Sequence, residues 1–516
     1  MRVGIIFVYV DYHRRGRKNR VSMQPQIGPL IAGLLPRDIE IDVVNETWED
    51  PDWSRDYDLL FLSCMHSDFD RARQISHYWR QRGAKTVFGG AFASSYPDLC
   101  QPFFDVVVIG DPEHTVPALY ADFCAGELKA RYRNTDYDAS AVATPRFDLL
   151  AGKALHSFAL EATRGCPFTC EFCVLTGVGT RHHTRPAHSV VRDITAGQRA
   201  LEGKVPRHKT RVVGFCDNNL GGNLGYLREL CAALKPLRVQ WYAAVTFNVI
   251  SHPDLVRLMA DAGCRILFVG LESFNPVALD EMGKHQNAAH KTRAAIDCCR
   301  DHGILVISGL MVSPISDGVD YIRSIPRHLA QSGLHVPTFL CFETPILGTP
   351  YFRRLAAEHE AAFLPDALLR DFTGYTLVVR PRQAETAEFV AAYREAVRDV
   401  FSARNRLRKL ADDLPRLLRH GYWLPAATDL VDMVTMQAAD VDAPGRTYLA
   451  GSDAAPPERV PFTDADFDSE EQRHAILEPW RVTDSEGYAL DFWLRGEAVF
   501  APRSRAGKAL NAGRAR

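Results

Sequence analysis

Residues 161–173, EATRGCPFTCEFC, place Cys166, Cys170 and Cys173 within eight positions of a 516-residue chain. Twelve cysteines occur in all, and the others are scattered, which is unlike the framework of a disulfide-stapled secreted domain. Those scattered thiols read as small buried hydrophobes. The triplet admits three readings: a zinc site, a disulfide plus one free thiol, or an iron–sulfur cluster. A structural zinc wants four ligands, and His182 or His183 could supply the fourth. A cubane held by three thiolates instead leaves one iron open to a chelating cosubstrate.

Working outward, HSFALEATRGC (156–166) puts the triplet just past an apolar strand-like run. Further runs follow at TRVVGFCD (210–217), VQWYAAVTF (239–247), CRILFVGLE (264–272), ILVISGLMV (304–312) and PTFLCFETP (337–345), with helical stretches between them. Strands alternating with helices predict parallel βα units. Six such units fit a full or partial (βα)6 barrel, whose chemistry sits at the carboxyl ends of its strands.

Upstream, VGIIFVYV, IEIDVVN, LLFLSCM, KTVFGG and DVVVIG alternate with helix-like segments over the first 125 residues. They predict an α/β doubly wound, Rossmann-like parallel sheet that binds ligands at its strand ends. The stretch 131–150 has linker character. Beyond about 380 the pattern turns helical, and Phe389, Tyr393, Val397 and Phe401 share one face as a core stripe. FTDADFDSEEQ (462–472) is acidic and reads as solvated; the basic, small-residue end (501–516) reads as a frayed tail. The expected division is 1–135, 150–380 and 381–516.

A net charge of −2 and 46% hydrophobic residues provide no global field for nucleic acid or membrane, so neither is an expected partner. The first apolar run is too short to span a bilayer and lacks a cleavage site, which predicts a cytoplasmic protein.

The C-x3-C-x2-C spacing after the first strand of a barrel, with Phe172 before the last cysteine, resembles the radical S-adenosylmethionine (radical SAM) superfamily. The resemblance implies a [4Fe-4S] cluster held by Cys166, Cys170 and Cys173. S-adenosyl-L-methionine would chelate the open iron and be cleaved by one electron to a 5'-deoxyadenosyl radical. It also implies an external reductant of flavodoxin or ferredoxin type. Asp217, Asn218 and Asn219 end the second strand where many members carry a Gly-Gly-Glu turn, so Asp217 and Asn218 are candidates for the cosubstrate. Glu272 in FVGLES is another, with pairing to a nearby cation as its alternative reading. In TPILGTPYF after the sixth strand, Gly348 reads equally as a turn residue.

KTVFGGAFASSYPD and DVVVIGDPEHT resemble the cobalamin-binding domain fused to many radical SAM proteins. Gly89 and Gly90 would admit a large ligand to the backbone, and Ser63 would hydrogen bond its nucleotide tail. His13 in DYHRRG matches the D-x-H-x-x-G pattern that supplies a lower axial ligand to cobalamin, although the insertion RKNRVSMQPQIGP resembles members that lack that histidine. Together these implications describe a cobalamin-dependent radical SAM enzyme that methylates an unactivated carbon of a small molecule. Cyclisation or rearrangement, methylthiotransfer using Cys64, Cys100 and Cys124, and a non-enzymatic sensor are the alternatives.

Overall fold

The computed structural model describes residues 1–10, 26–153, 157–287, 291–358, 362–364, 367–435, 460–482 and 490–495. His13 and the basic end lie outside them.

β1 (Arg2–Phe7), β2 (Glu40–Asn45), β3 (Leu59–Ser63), β4 (Lys85–Gly89), β5 (Val106–Gly110) and β6 (Arg131–Asn134) form one sheet, ordered β2-β1-β3-β4-β5-β6. All its pairings are parallel. β6 corrects the linker reading of 131–150. RYRN lacks an apolar run because it is an edge strand whose side chains are mostly outside the core. Alternation along the strands feeds two cores. Val3, Ile5, Phe61, Val87 and Val108 pack towards Ile31 and Val116 of the flanking helices. Ile6, Leu60, Leu62, Phe88 and Val107 pack on the other side, with Phe69, Trp79 and Tyr351. Chain order reverses between β1 and β3, the switch point at which such sheets bind ligands.

The second body contains β7 (Phe158–Leu160), then a short antiparallel pair, β8 (Thr163–Arg164) with β9 (His183–Thr184). β10 (Val212–Phe215), β11 (Gln240–Thr246), β12 (Cys264–Gly270) and β13 (Leu305–Ile307) extend β7 in parallel order. β14 (Gly309–Val312) and β15 (Phe339–Phe342) form a separate parallel pair. ILVISGLMV thus folds as two strands. Ser308 breaks it by donating its hydroxyl to the Val269 carbonyl at 2.7 Å, and a Cβ on Gly309 would collide with the Phe339 ring. The two sheets abut where Glu272 pairs with Leu310. No ladder joins β15 to β7 among the described residues, and where a full or partial barrel is expected the strands form a five-stranded parallel sheet and a separate parallel pair.

The Thr386–Val400 helix buries Phe389, Tyr393 and Val397, with Phe401 just beyond it, as the spacing predicts. Tyr393 lies on Phe342 with ring centroids 4.3 Å apart. Two further helices, Ala403–Arg419 and Trp423–Thr435, pack together.

The acidic stretch at 462–472 is not simply solvated. Asp466 is buried, accepts from Arg82 at 3.0 Å, and offers its carbonyl to His77. Phe467 stacks on His77. Nearby, the fully buried Arg73 donates to the carbonyls of Ala475 and Glu478, and its guanidinium lies 5.4 Å from the centre of the Trp480 ring. Asp464, Asp468, Glu470 and Glu471 are exposed as the solvated reading expects, while Asp466, with Arg73 and Trp480, lays residues 460–482 on the Phe69–Arg80 helix.

Candidate active site

The cysteine loop runs from β8 to the Val174–Val178 helix. Gly165 opens it with φ +80°, and a side chain there would strike the Arg181 carbonyl. Cys170 is buried, and Cys166 and Cys173 are partly so. Burial pushes the Cys173 thiol up to about 11, with Cys170 and Cys166 adding to the rise. Burial also raises Cys170, against the pull of Lys284. The three thiols therefore lie within electrostatic reach of one another on one loop. Among the described residues, no three His, Cys, Asp or Glu side chains are drawn into a finished metal-ligating group. The donor set is nonetheless the one a three-thiolate cluster requires. No disulfide joins any two of the three thiols, so the disulfide reading finds no support in the structure.

Asp217 points inward from the end of β10 but does not present a free carboxylate. It accepts from the Ala162 amide at 3.2 Å, from the Thr163 hydroxyl at 2.6 Å, and from the Thr163 amide. Burial pushes its carboxyl up to about 7, although these donors oppose the rise. Asp217 therefore fixes the backbone that enters the cysteine loop. Asn218 is exposed. Asn219 is buried instead, donating to Cys166 Sγ at 3.6 Å and accepting from the Thr246 amide at 3.3 Å. Residues 217–219 lie past the end of β10, so strand alternation does not set which of them faces inward.

Glu272 lies just past β12 with φ +63°, a left-handed conformation rare outside glycine. Its carboxylate pairs with the buried Lys284 ammonium at 2.6 Å. That ammonium lies 6.0 Å from the centre of the Phe172 ring. The cation-pairing alternative for Glu272 is thus the one observed, and Lys284 had no local motif to mark it. At the ends of β14 and β15, Ser313 donates to the buried Glu343 at 2.6 Å. Burial pushes Glu343 up to about 7 and the nearby Asp317 up to about 6. These acids also escaped the sequence reading.

The first sheet has a different mouth. Ser63, Gly89 and Gly90 line one open cavity, together with Ile6 of β1, Gly110 of β5 and Pro112. It opens at the carboxyl ends of the strands on either side of the switch point. Gly90 has φ +109°, and a Cβ there would come within 3.0 Å of Ser63 Oγ. The cradle is apolar and depends on missing side chains.

Arg164 joins the two mouths. Two residues before Cys166, its guanidinium donates to Asp111 at 2.8 Å and to Glu113 at 2.7 Å, and pairs with Glu161. Asp111 and Glu113 flank Pro112 on the cavity rim.

Residues 160–322 match the Radical SAM superfamily, so the chain carries a radical SAM domain, which implies a [4Fe-4S] cluster and S-adenosylmethionine. Among curated relatives, the bacteriochlorophyllide d C-8(2)-methyltransferase of Chlorobaculum tepidum is 26% identical over 334 residues, spanning 63% of this chain and 74% of that protein. The fold is shared with the cobalamin-dependent S-adenosylmethionine radical enzyme OxsB, solved with aqua-cobalamin and S-adenosylmethionine. That match has a TM-score of 0.60 at 13% identity, over 86% of this chain and 76% of that one. It is shared too with the radical S-adenosylmethionine methyltransferase TsrM from Kitasatospora setae, solved with tryptophan substrate and a SAM analogue. Here the TM-score is 0.58 at 15% identity, over 79% and 90% of the two chains.

Proposed function

We propose that this protein is a cobalamin-dependent radical SAM methyltransferase acting on an unactivated carbon of a small molecule. The observation that carries the reading is the Arg164 junction, which ties the cysteine loop directly to the rim of the glycine-lined cavity. Two reactants passed between separate cofactors must be held in fixed relation, because misplacement by about 1 Å can cost roughly a hundredfold in rate.

When bound, the cluster with S-adenosylmethionine supplies a hydrogen-abstracting radical, and cobalamin supplies the methyl carrier. In this reading Cys166, Cys170 and Cys173 hold the cluster, Asn219 donates to one of its sulfurs, and Asp217 fixes the loop's approach. Ser63, Gly89 and Gly90 hold cobalamin through backbone contact and one hydroxyl. The buried Glu343 and Asp317 provide hydrogen-bonding groups at the strand ends facing the substrate. The electron comes from an external donor of flavodoxin or ferredoxin type, in the cytoplasm. No helix among the described residues is long and apolar enough to cross a membrane.

The test is the coproduct ratio. Hydrogen abstraction releases 5'-deoxyadenosine and renewal of the methyl carrier releases S-adenosylhomocysteine, so methylation yields the two in about equal amounts and puts labelled S-methyl carbon into the product. Deoxyadenosine alone, with unlabelled product, would mean cyclisation or rearrangement and would overturn the methyltransferase reading.

A further inference from the structure

The segment 282–284 lies directly against the cysteine loop. The Glu171 amide donates to the Met282 carbonyl at 3.0 Å, and a Cβ on Gly283 would lie 3.9 Å from the Cys170 Cα. The next side chain, Lys284, is buried, and its one ion-pair partner among the described residues is Glu272. A buried ion pair is costly to desolvate and contributes little net stability compared with an apolar pair of the same shape. Glu272 also carries backbone strain. Its conformation is held in place by its carbonyl, which accepts from Met311 at 2.7 Å, and such strain concentrates at functional sites.

We infer that Lys284 is a positioning residue for charge: it sets the reduction potential of the cluster held by Cys166, Cys170 and Cys173, and Glu272 moderates its effect. The inference rests on the cluster assignment above. Reduction takes one electron from an external donor and converts [4Fe-4S]2+ to [4Fe-4S]+, adding one negative charge beside a buried ammonium. No proton leaves Lys284. The ammonium therefore favours the reduced form, and in a site screened from water that preference is not dissipated. The neighbouring carboxylate opposes it. The ammonium is held in place by its ion pair with Glu272 at 2.6 Å.

Potentiometric titration of the reconstituted full-length protein, followed by paramagnetic resonance of the reduced cluster, tests this without reference to turnover. Lys284→Met should lower the midpoint potential, with a change of about tenfold in the reduction equilibrium, equivalent to about 59 mV for one electron. Glu272→Gln should raise it, and Lys284→Arg should leave it near wild type. Opposite signs for two residues of one ion pair are not expected from general loosening of the site. If Lys284→Met takes up no iron, the Lys284→Met, Glu272→Gln double variant carries the test, and its potential should lie below that of Glu272→Gln alone. Equal potentials, or shifts of the same sign, would overturn the proposal. Wild-type protein that binds no cluster would instead defeat the assignment on which it rests.

Discussion

The two sheet mouths are both built from parallel βα units, yet they differ in kind. The first is an apolar cradle, with Gly89, Gly90 and Gly110 on its rim and a single hydroxyl from Ser63. The second is lined by thiols, the Lys284–Glu272 pair and acids whose pKa values burial raises. In the proposed reading the same architecture would grip a large ligand by omitting side chains in one place, and would surround an electron-transfer site with fixed charges in the other. Arg164 connects them.

The sharpest break between the mouths would come from removing the thiols. Replacing Cys166, Cys170 and Cys173 together by alanine is expected to abolish nearly all iron binding after anaerobic reconstitution, with circular dichroism and cobalamin retention unchanged. Iron at wild-type levels, or zinc in its place, would contradict the division of labour.

Arg164→Ala should uncouple the mouths, because it strands Asp111, Glu113 and Glu161 without their cation. Breaking a buried pair in this way costs about 3–5 kcal/mol, and calorimetry should show an early transition split from the main one. A single unshifted transition would mean the junction is ornamental to stability.

Asp217 sharpens the comparison through pH. Its folded pKa, up to about 7, lies above the unfolded carboxyl value near 3.9. The stability it contributes is full below about pH 4 and is lost as pH rises through 7. Wild type should therefore lose stability relative to Asp217→Asn across that window, by a few kcal/mol at roughly 1.4 kcal/mol per pKa unit. Chemical denaturation at pH 4.5 and pH 8 on the order of these limits would reveal the change, and a constant difference between the proteins would refute it.

At the apolar mouth effects should be smaller and confined to the ligand. Gly90→Val forces a side chain into a left-handed backbone against Ser63, at about 1–3 kcal/mol, and should abolish retention of hydroxocobalamin through gel filtration while leaving iron content intact. Ser63→Ala removes one hydrogen bond, about 1 kcal/mol or fivefold in affinity, measurable by titration with hydroxocobalamin. Loss of iron in either variant would show that the mouths are not separable.

The parts of this arrangement that could be read from sequence were those marked by local chemistry. Apolar runs located most strands because burial on a parallel sheet demands them, and the cysteine spacing marked the loop. β6 was missed because an edge strand needs no apolar run. The split in ILVISGLMV depends on Phe339, which fills the space over Gly309. Lys284, Arg164 and Glu343 were missed for another reason. Most of their partners lie outside any local motif, and a charged residue has no periodicity that distinguishes a buried pair from a solvated one.

The contact between Arg73 and Ala475 spans 402 residues. At ordinary translation rates of about 5–20 residues per second, the ribosome needs roughly 20–80 s to deliver the carbonyls that this guanidinium requires. From residue 134 onward in that interval the first sheet is complete in sequence but lacks the Trp480 cover of its second core. The nascent chain therefore lacks the Trp480 ring over Phe69 and Phe103 until residues 475–480 are made, so the first sheet is sealed long after its own strands exist.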